Sequence, residues 1–487
     1  MSSNIRLLKN SSLYSIVQIL QKCIGLFLLP LYTSILEPSD KGISDIVATI
    51  VSVLSVFYTF AIASSVIRFY TDYKNDEKKL SEFWGTCVTF VLLNGIFMTI
   101  VLTLTKNYIL IPITNYEVAF FPYIFVGLIS ITLNPVYTIF QSTLQAKEDS
   151  RKYAANNFCY FIVNLILNIL FVAVFRLGGL GVLLALAITD AAFFIYTIIV
   201  FFPKVKLGIN RVYLKEALKY SLPLLPHSLS GWVISMIDRV FINIYNGLGN
   251  TAIYTTAASF GNIINVITSA INQAYVPWFF DKMKNKKKNE LDIVKISEYL
   301  TIFYGFLAMG MSLFAPEVFK ILVRKDYVTG WTIIPALSFA YVFNGIYYFF
   351  VNPLFYNKRG VKYISIGTFT AAILNSVLNI GFIQLWGGNG AALASMVSNI
   401  IACILIYFIS KRIEPIKFNM MKMFCIAFSF YGISLLTYVL SGYSFFIAIL
   451  IKILIVLLVI GILALIYRSE SKELIKTAKT YINNRKK

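Results

Sequence analysis

Residues 164–190 read NLILNILFVAVFRLGGLGVLLALAITD, and residues 375–399 read NSVLNIGFIQLWGGNGAALASMVSN. They are one pattern written twice. At a shift of 211, Asn164, Leu167, Asn168, Ile169 and Phe171 meet Asn375, Leu378, Asn379, Ile380 and Phe382. Two residues are then lost, and at a shift of 209 Gly178, Gly179, Gly181, Leu184 and Ala185 meet Gly387, Gly388, Gly390, Leu393 and Ala394. Upstream, Lys147 and Lys358 share the shift of 211. Apolar helices rich in Gly, Ala and Leu align by accident, but the doubled glycine and the Asn pairs four residues apart mark a true internal repeat.

Both copies lie in long apolar runs. The chain of 487 residues is 58% hydrophobic and only 13% charged, whereas soluble domains hold about 25% charged residues. Solubility, disorder and a disulfide scaffold are thereby excluded. Fourteen stretches reach the roughly 20 apolar residues that cross a bilayer, the first at 11–36 and the last at 445–467. Each is too long for a barrel strand, and a backbone in lipid must satisfy its own hydrogen bonds, so the expected fold is an all-α polytopic membrane protein. The repeat relates spans five and six (154–175 and 180–202) to eleven and twelve (363–385 and 391–409). A displacement of six spans preserves direction, which predicts two parallel six-helix lobes. The expected divisions are a first lobe at 1–203, a second at 204–412, two appended helices at 413–467 and a basic tail at 468–487.

Lys and Arg number 43 against 22 Asp and Glu, a formal charge of +21. Their placement argues against nucleic acid. With both termini cytoplasmic, 33 fall on the inner side and 6 on the outer, divided among loops rather than gathered on one face. The run KNKKK at 284–288 and the basic tail read as topology signals and contacts with anionic lipid. Cys23, Cys87, Cys159, Cys403 and Cys425 lie in apolar stretches without paired spacing, so they read as packing residues.

Ionisable groups inside spans need a reason. Lys22 lies about 16 Å into span one at 1.5 Å per residue. It faces either a watery cavity that attracts an anion or an interior polar partner. Arg68 ends span two with Asp72 four residues on, so an interface ion pair rivals a binding role. Asp190 lies midway along span six where the repeat has Asn399, making it a candidate proton or sodium site or a neutral acid bonded to a neighbouring helix. In span seven, SLPLLPHSLSGWVISMIDRVFINIY (221–245), Pro223 and Pro226 predict a kink or broken turn. His227, the single histidine, follows and is a candidate for contact with substrate. Asp238 and Arg239 are about 100° apart on the helix and cannot both face lipid, which suggests interior pairing or an outer gate. Lys452 in the last span has no evident task. One His, no metal-spaced cluster, no phosphate loop and short outer loops leave no room for an active-site domain, so an enzyme is not expected.

Together with fourteen spans, the segments FLLPLYTSILEPSDKGISDI (27–46), VIRFYTDY (66–73), SLPLLPHSLSGWVISMIDRVFI (221–242) and GNTAIYTTAASF (249–260), with a turn expected at Tyr254, carry a resemblance. Over essentially its whole length the chain resembles the polysaccharide-transporter branch, the Wzx-type lipid-linked oligosaccharide flippases, of the multidrug/oligosaccharidyl-lipid/polysaccharide exporter superfamily. The resemblance implies flipping of an undecaprenyl-diphosphate-linked oligosaccharide from the inner to the outer leaflet of a bacterial inner membrane by alternating access. It implies a surface glycan such as O-antigen of lipopolysaccharide or capsule as the product, and other membrane proteins of polysaccharide assembly as partners. Cationic cavity residues are typical of the family, and Lys22, Arg68 and Arg239 suit that role, with His227 and Asp238 beside them. No cofactor is implied beyond a coupling proton or sodium ion. The physics agrees, since a diphosphate bearing sugar cannot cross hydrocarbon unaided while its lipid tail can stay outside a lateral opening. Two other readings stand beside it: a cation-coupled multidrug antiporter of the same superfamily, which would need interior acids, and a membrane glycan polymerase, which would need a large polar loop.

Overall fold

A computed structural model describes residues 28–357 and 360–467. It is all-α, with the helices α1 (Pro38–Thr59), α2 (Ile62–Tyr73), α3 (Glu77–Leu104), α4 (Phe125–Ala146), α5 (Ser150–Asn168), α6 (Gly178–Val200) and α7 (Arg211–Ser221) in the first half. The second half holds α8 (Leu225–Met283), α9 (Lys286–Leu313), α10 (Ala315–Leu322), α11 (Ile334–Tyr356), α12 (Val361–Ile413), α13 (Met420–Ser434) and α14 (Phe445–Ile466). Among the described residues, ten helices are long and apolar enough to cross a membrane. The chain is a multi-pass membrane protein.

Local chemistry sets the ends. Asp76, Asp149 and Asn419 accept from the backbone N–H of Lys79, Lys152 and Lys422 at 3.1, 3.3 and 3.0 Å, capping α3, α5 and α13. Phe60 and Ala61 take the left-handed conformation (φ 46° and 54°) and divide α1 from α2. A 3-10 turn, Leu222–Leu224, joins α7 to α8 where Pro223 and Pro226 remove backbone donors.

At 59 and 53 residues, α8 and α12 would extend for about 80 to 90 Å if straight, far beyond one bilayer. Each folds back at one glycine: Gly247 (φ 80°, ψ 175°) in α8 and Gly387 (φ 56°, ψ −134°) in α12. Tyr254 is therefore helical, and the turn expected there is made at Gly247 instead, where a residue without Cβ tolerates positive φ.

The repeat is visible in the backbone. Gly178 and Gly387, partners in the sequence, both have positive φ (60° and 56°). A Cβ on Gly181 would stand 2.9 Å from the Phe171 carbonyl oxygen, and one on Gly390 would stand 1.9 Å from that of Phe382, itself the partner of Phe171. Both GG-x-G turns thus bring a helix start onto the end of the preceding helix, closer than any side chain permits.

Buried polar pairs tie the elements. Asn164 donates to Thr189 Oγ1 and Asn168 to Asn164 Oδ1 (3.3 and 3.0 Å), while Asn375 donates to Ser395 Oγ and Asn379 to Asn375 Oδ1 (3.1 and 3.1 Å). The repeated Asn pairs are thus interhelical clamps in both halves.

Between the halves, α1 packs along α8, so closely that a Cβ on Gly42 would lie 2.2 Å from the Leu248 carbonyl oxygen. Around that point Lys41 Nζ reaches Asp45 (2.5 Å) and Thr255 (3.2 Å), Thr255 also bonds Asp45, and Tyr327 donates to the Leu36 carbonyl (3.2 Å). Asn243 donates to the Thr114 carbonyl at 3.2 Å, and Arg324 lies 3.7 Å from Glu37. These bonds gather at the end to which the charge pattern assigns the outer side.

Candidate functional site

A cavity of about 440 Å³ opens inside the second half, walled by both arms of α8, α11 and both arms of α12. Its polar lining includes Asp238, Arg239, Asn262, Asn344, Asn375 and Asn399. Asp238, 6% exposed, accepts a hydrogen bond from the Tyr254 hydroxyl and one from the backbone N–H of Arg239 at 2.9 Å. Both bonds hold the carboxylate within α8. The Arg239 guanidinium touches Met236 Sδ through Nη1 at 2.6 Å, and its Nε is buried without a partner. Arg239 makes no ion pair among the described residues. A guanidinium in the wall of a polar void is an anion site in chemical terms, because it grips phosphate or carboxylate oxygens with a preformed fork.

A second cavity, of about 470 Å³, lies in the first half between α4 and α5. Its walls are Asn134, Tyr137, Thr138, Gln141, Asn157 and Tyr160, among others. The two cavities are related by the repeat: at a shift of 210, Asn134, Tyr137 and Thr138 correspond to Asn344, Tyr347 and Tyr348, and at 211, Asn157 and Tyr160 correspond to Thr368 and Ala371, all of them lining residues. Asp190 stands behind the cavity of the first half. It accepts from Ser130, from Asn134 Nδ2 at 2.7 Å and from the Tyr160 hydroxyl at 2.7 Å. Its repeat partner Asn399 lines the cavity of the second half and donates to the Ala340 carbonyl at 3.1 Å.

The structure brings Asp238 and Arg239 together in one cavity and sets Asp190 behind the wall of the other, bonded to two of its lining residues. Arg68 does not line either; it is half exposed on α2, 3.1 Å from Asp72 and 5.6 Å from the Phe69 ring centre. His227 is exposed in the first turn of α8. Lys22 lies outside the described residues. Sequence reading missed the cavity walls themselves, although the 210 shift that carries Asn134 and Tyr137 onto Asn344 and Tyr347 was available as a signal.

Comparison with known proteins follows the same line. Residues 7–283 match the family described as polysaccharide biosynthesis protein. A stretch of 204 residues is 28% identical to the capsular polysaccharide biosynthesis protein CapF of Staphylococcus aureus, covering 41% of this chain and 50% of CapF, half the length of that relative. Over 417 residues the chain is 22% identical to the uncharacterized membrane protein MJ1068 of Methanocaldococcus jannaschii, covering 79% of this chain and 80% of the other. The fold is similar to that of the lipid II flippase MurJ in an inward closed conformation (TM-score 0.72, 17% identity, 94% of this chain and 99% of that one). It is also similar to an inward-facing multidrug resistance MATE transporter (TM-score 0.55, 15% identity, 83% and 95%).

Proposed function

The chain belongs to the polysaccharide biosynthesis protein family, and from that premise we propose that it flips a polyprenyl-diphosphate-linked oligosaccharide, of undecaprenyl type, across a bacterial inner membrane for assembly of a surface glycan such as capsule or O-antigen. Its family and fold are those of transporters rather than enzymes. The observation that carries the reading is Arg239, a guanidinium without a carboxylate partner among the described residues, beside a cavity roomy enough for a headgroup. A diphosphate is the anion a lipid-linked glycan must bring through hydrocarbon, and a fixed cation in a low-dielectric cavity offsets its desolvation.

The cycle follows from the clasp. With Lys41, Asp45, Thr255, Tyr327 and Arg324 holding the halves together at the outer end, the headgroup enters from the cytoplasmic side while its tail stays in lipid. Release of that clasp and closure at the other end then present it to the outer leaflet. Arg68 and His227, both exposed, and Lys22 are assigned to the entry route, and Asp190 to coupling by a proton or sodium ion. Cation-coupled multidrug export is the second reading, favoured by the buried carboxylates of Asp190 and Asp238.

The test is transport in liposomes of fluorescent undecaprenyl-diphosphate disaccharide. A charge-assisted bond is worth about 1.5 to 3 kcal/mol, so Arg239→Ala should slow flipping by about ten- to a hundredfold, and Lys22→Ala and Arg68→Ala by less. Normal flipping by all three variants, together with export of cationic dyes, defeats the reading in favour of the second.

A further inference from the structure

The first-half cavity has no ionised side chain in its lining, which is made of carboxamides, hydroxyls and aromatic rings. An anionic headgroup finds no cation there. Two donors in its wall are buried and unmatched: Gln141 Nε2 and the Tyr137 hydroxyl have no partner, and the residues are 6% and 5% exposed. Buried polar groups are ordinarily satisfied, so each is a spare donor that a small turn of its own side chain presents to an acceptor in the cavity. The other end of Gln141 is fixed, since its Oε1 accepts from Asn157 Nδ2 at 3.2 Å.

Water would also satisfy such donors, but it gains nothing from the aromatic surface beside them. Tyr137 and Tyr160 are stacked, with ring centres 5.7 Å apart and planes 9° from parallel, and Phe161 adds a third ring. A pyranose ring carries hydroxyls around its edge and C–H bonds on its faces, which matches amides and phenols set among rings. The walls are held before anything binds, because Asp190 takes hydrogen bonds from both Asn134 and Tyr160. Preorganisation of that kind lowers the entropy lost on binding. Thr138 and Gln145 are exposed at the mouth. The mouth lies near the α4–α5 connection with Lys147, the end assigned to the cytoplasm, where a glycan would be loaded.

We propose that this cavity is a subsite for one uncharged sugar ring of the cargo, separate from the cationic cavity that takes the diphosphate. The proposal rests on the flippase reading and names which part of the cargo each half holds. It also gives Asp190 a positioning role, fixing two wall residues for the sugar.

Binding to the full-length protein in lipid nanodiscs tests it, with two probes: undecaprenyl diphosphate, and undecaprenyl diphosphate bearing N-acetylglucosamine. The wild type should bind the glycosylated probe at least about fivefold tighter, the worth of roughly one net hydrogen bond. Gln141→Leu, and independently Thr138→Trp, which fills the mouth without entering the packed wall, should abolish that preference and leave the sugar-free affinity unchanged. Equal affinity of the wild type for both probes, or an equal loss for both probes in each variant, overturns the subsite and leaves the flippase reading standing. Failure of the wild type to bind either probe removes both.

Discussion

Lys452 is fully buried in α14 and bonds both carboxylate oxygens of Glu317, whose side chain is 5% exposed, at 2.7 Å each. The sequence exposed the cation but not its purpose, because the partner is 135 residues away on α10, a helix of 8 residues. The pair pins the last span to the second half. Removing one partner strands a buried charge, so Lys452→Ala or Glu317→Ala should lower stability by about 3 to 5 kcal/mol, whereas Lys452→Met combined with Glu317→Leu should recover most of it. Thermal unfolding in detergent, followed by a thiol-reactive dye, measures this; single variants as stable as the wild type would show that packing alone holds α14. Arg239 is the opposite case. Its presence at an interior position was legible, while its lack of an acid was not, since neighbouring Asp238 could be expected to pair with it until the Tyr254 hydroxyl was seen to occupy that carboxylate.

Among the elements, the two glycine turns are what the sequence showed best. Backbone conformation is local, so GG-x-G reports it directly; side-chain partnership across helices is not, which is why the repeat was readable and the cavities it builds were not. The turns also set a sharp expectation. At Gly390 an added methyl meets the Phe382 carbonyl oxygen at 1.9 Å, whereas around Gly381, nine residues earlier on the same helix, nothing lies within 4 Å of an added Cβ. Gly390→Ala should therefore destabilise the protein by about 1 to 3 kcal/mol and Gly381→Ala should be neutral or slightly stabilising. Thermal midpoints of the two variants in one detergent decide it, and a neutral Gly390→Ala would mean that the turn relaxes freely.

For the whole molecule, the clasp between the halves is mostly polar, and polar bonds exchange for water at modest net cost. Asp45 is central, bonded to Lys41 on its own helix and to Thr255 across the divide. Replacing Asp45 by Ala frees Lys41 and Thr255 together and should shift the population toward an outward-open state by about tenfold. Spin labels at Ser39→Cys and Asn250→Cys, on opposite sides of the clasp, would report a longer distance in most molecules; an unchanged distance distribution would assign closure to the apolar contact of α1 with α8 instead. The gross architecture was legible because a bilayer permits few solutions to a run of fourteen apolar segments. Where the halves meet depended on pairs such as Lys41 with Thr255, 214 positions apart in the chain, which no local pattern announces.

The cavities share a lining pattern yet differ at several homologous positions, Asn157 against Thr368 and Tyr160 against Ala371 in the linings and Asp190 against Asn399 beside them. On the proposed assignment of sugar and diphosphate, the two copies divide the labour, and neither can stand in for the other. Two first halves fused in tandem would inherit a pair of neutral chambers with no guanidinium in either lining, two second halves the reverse, so the symmetry kept in the backbone has been spent in the side chains.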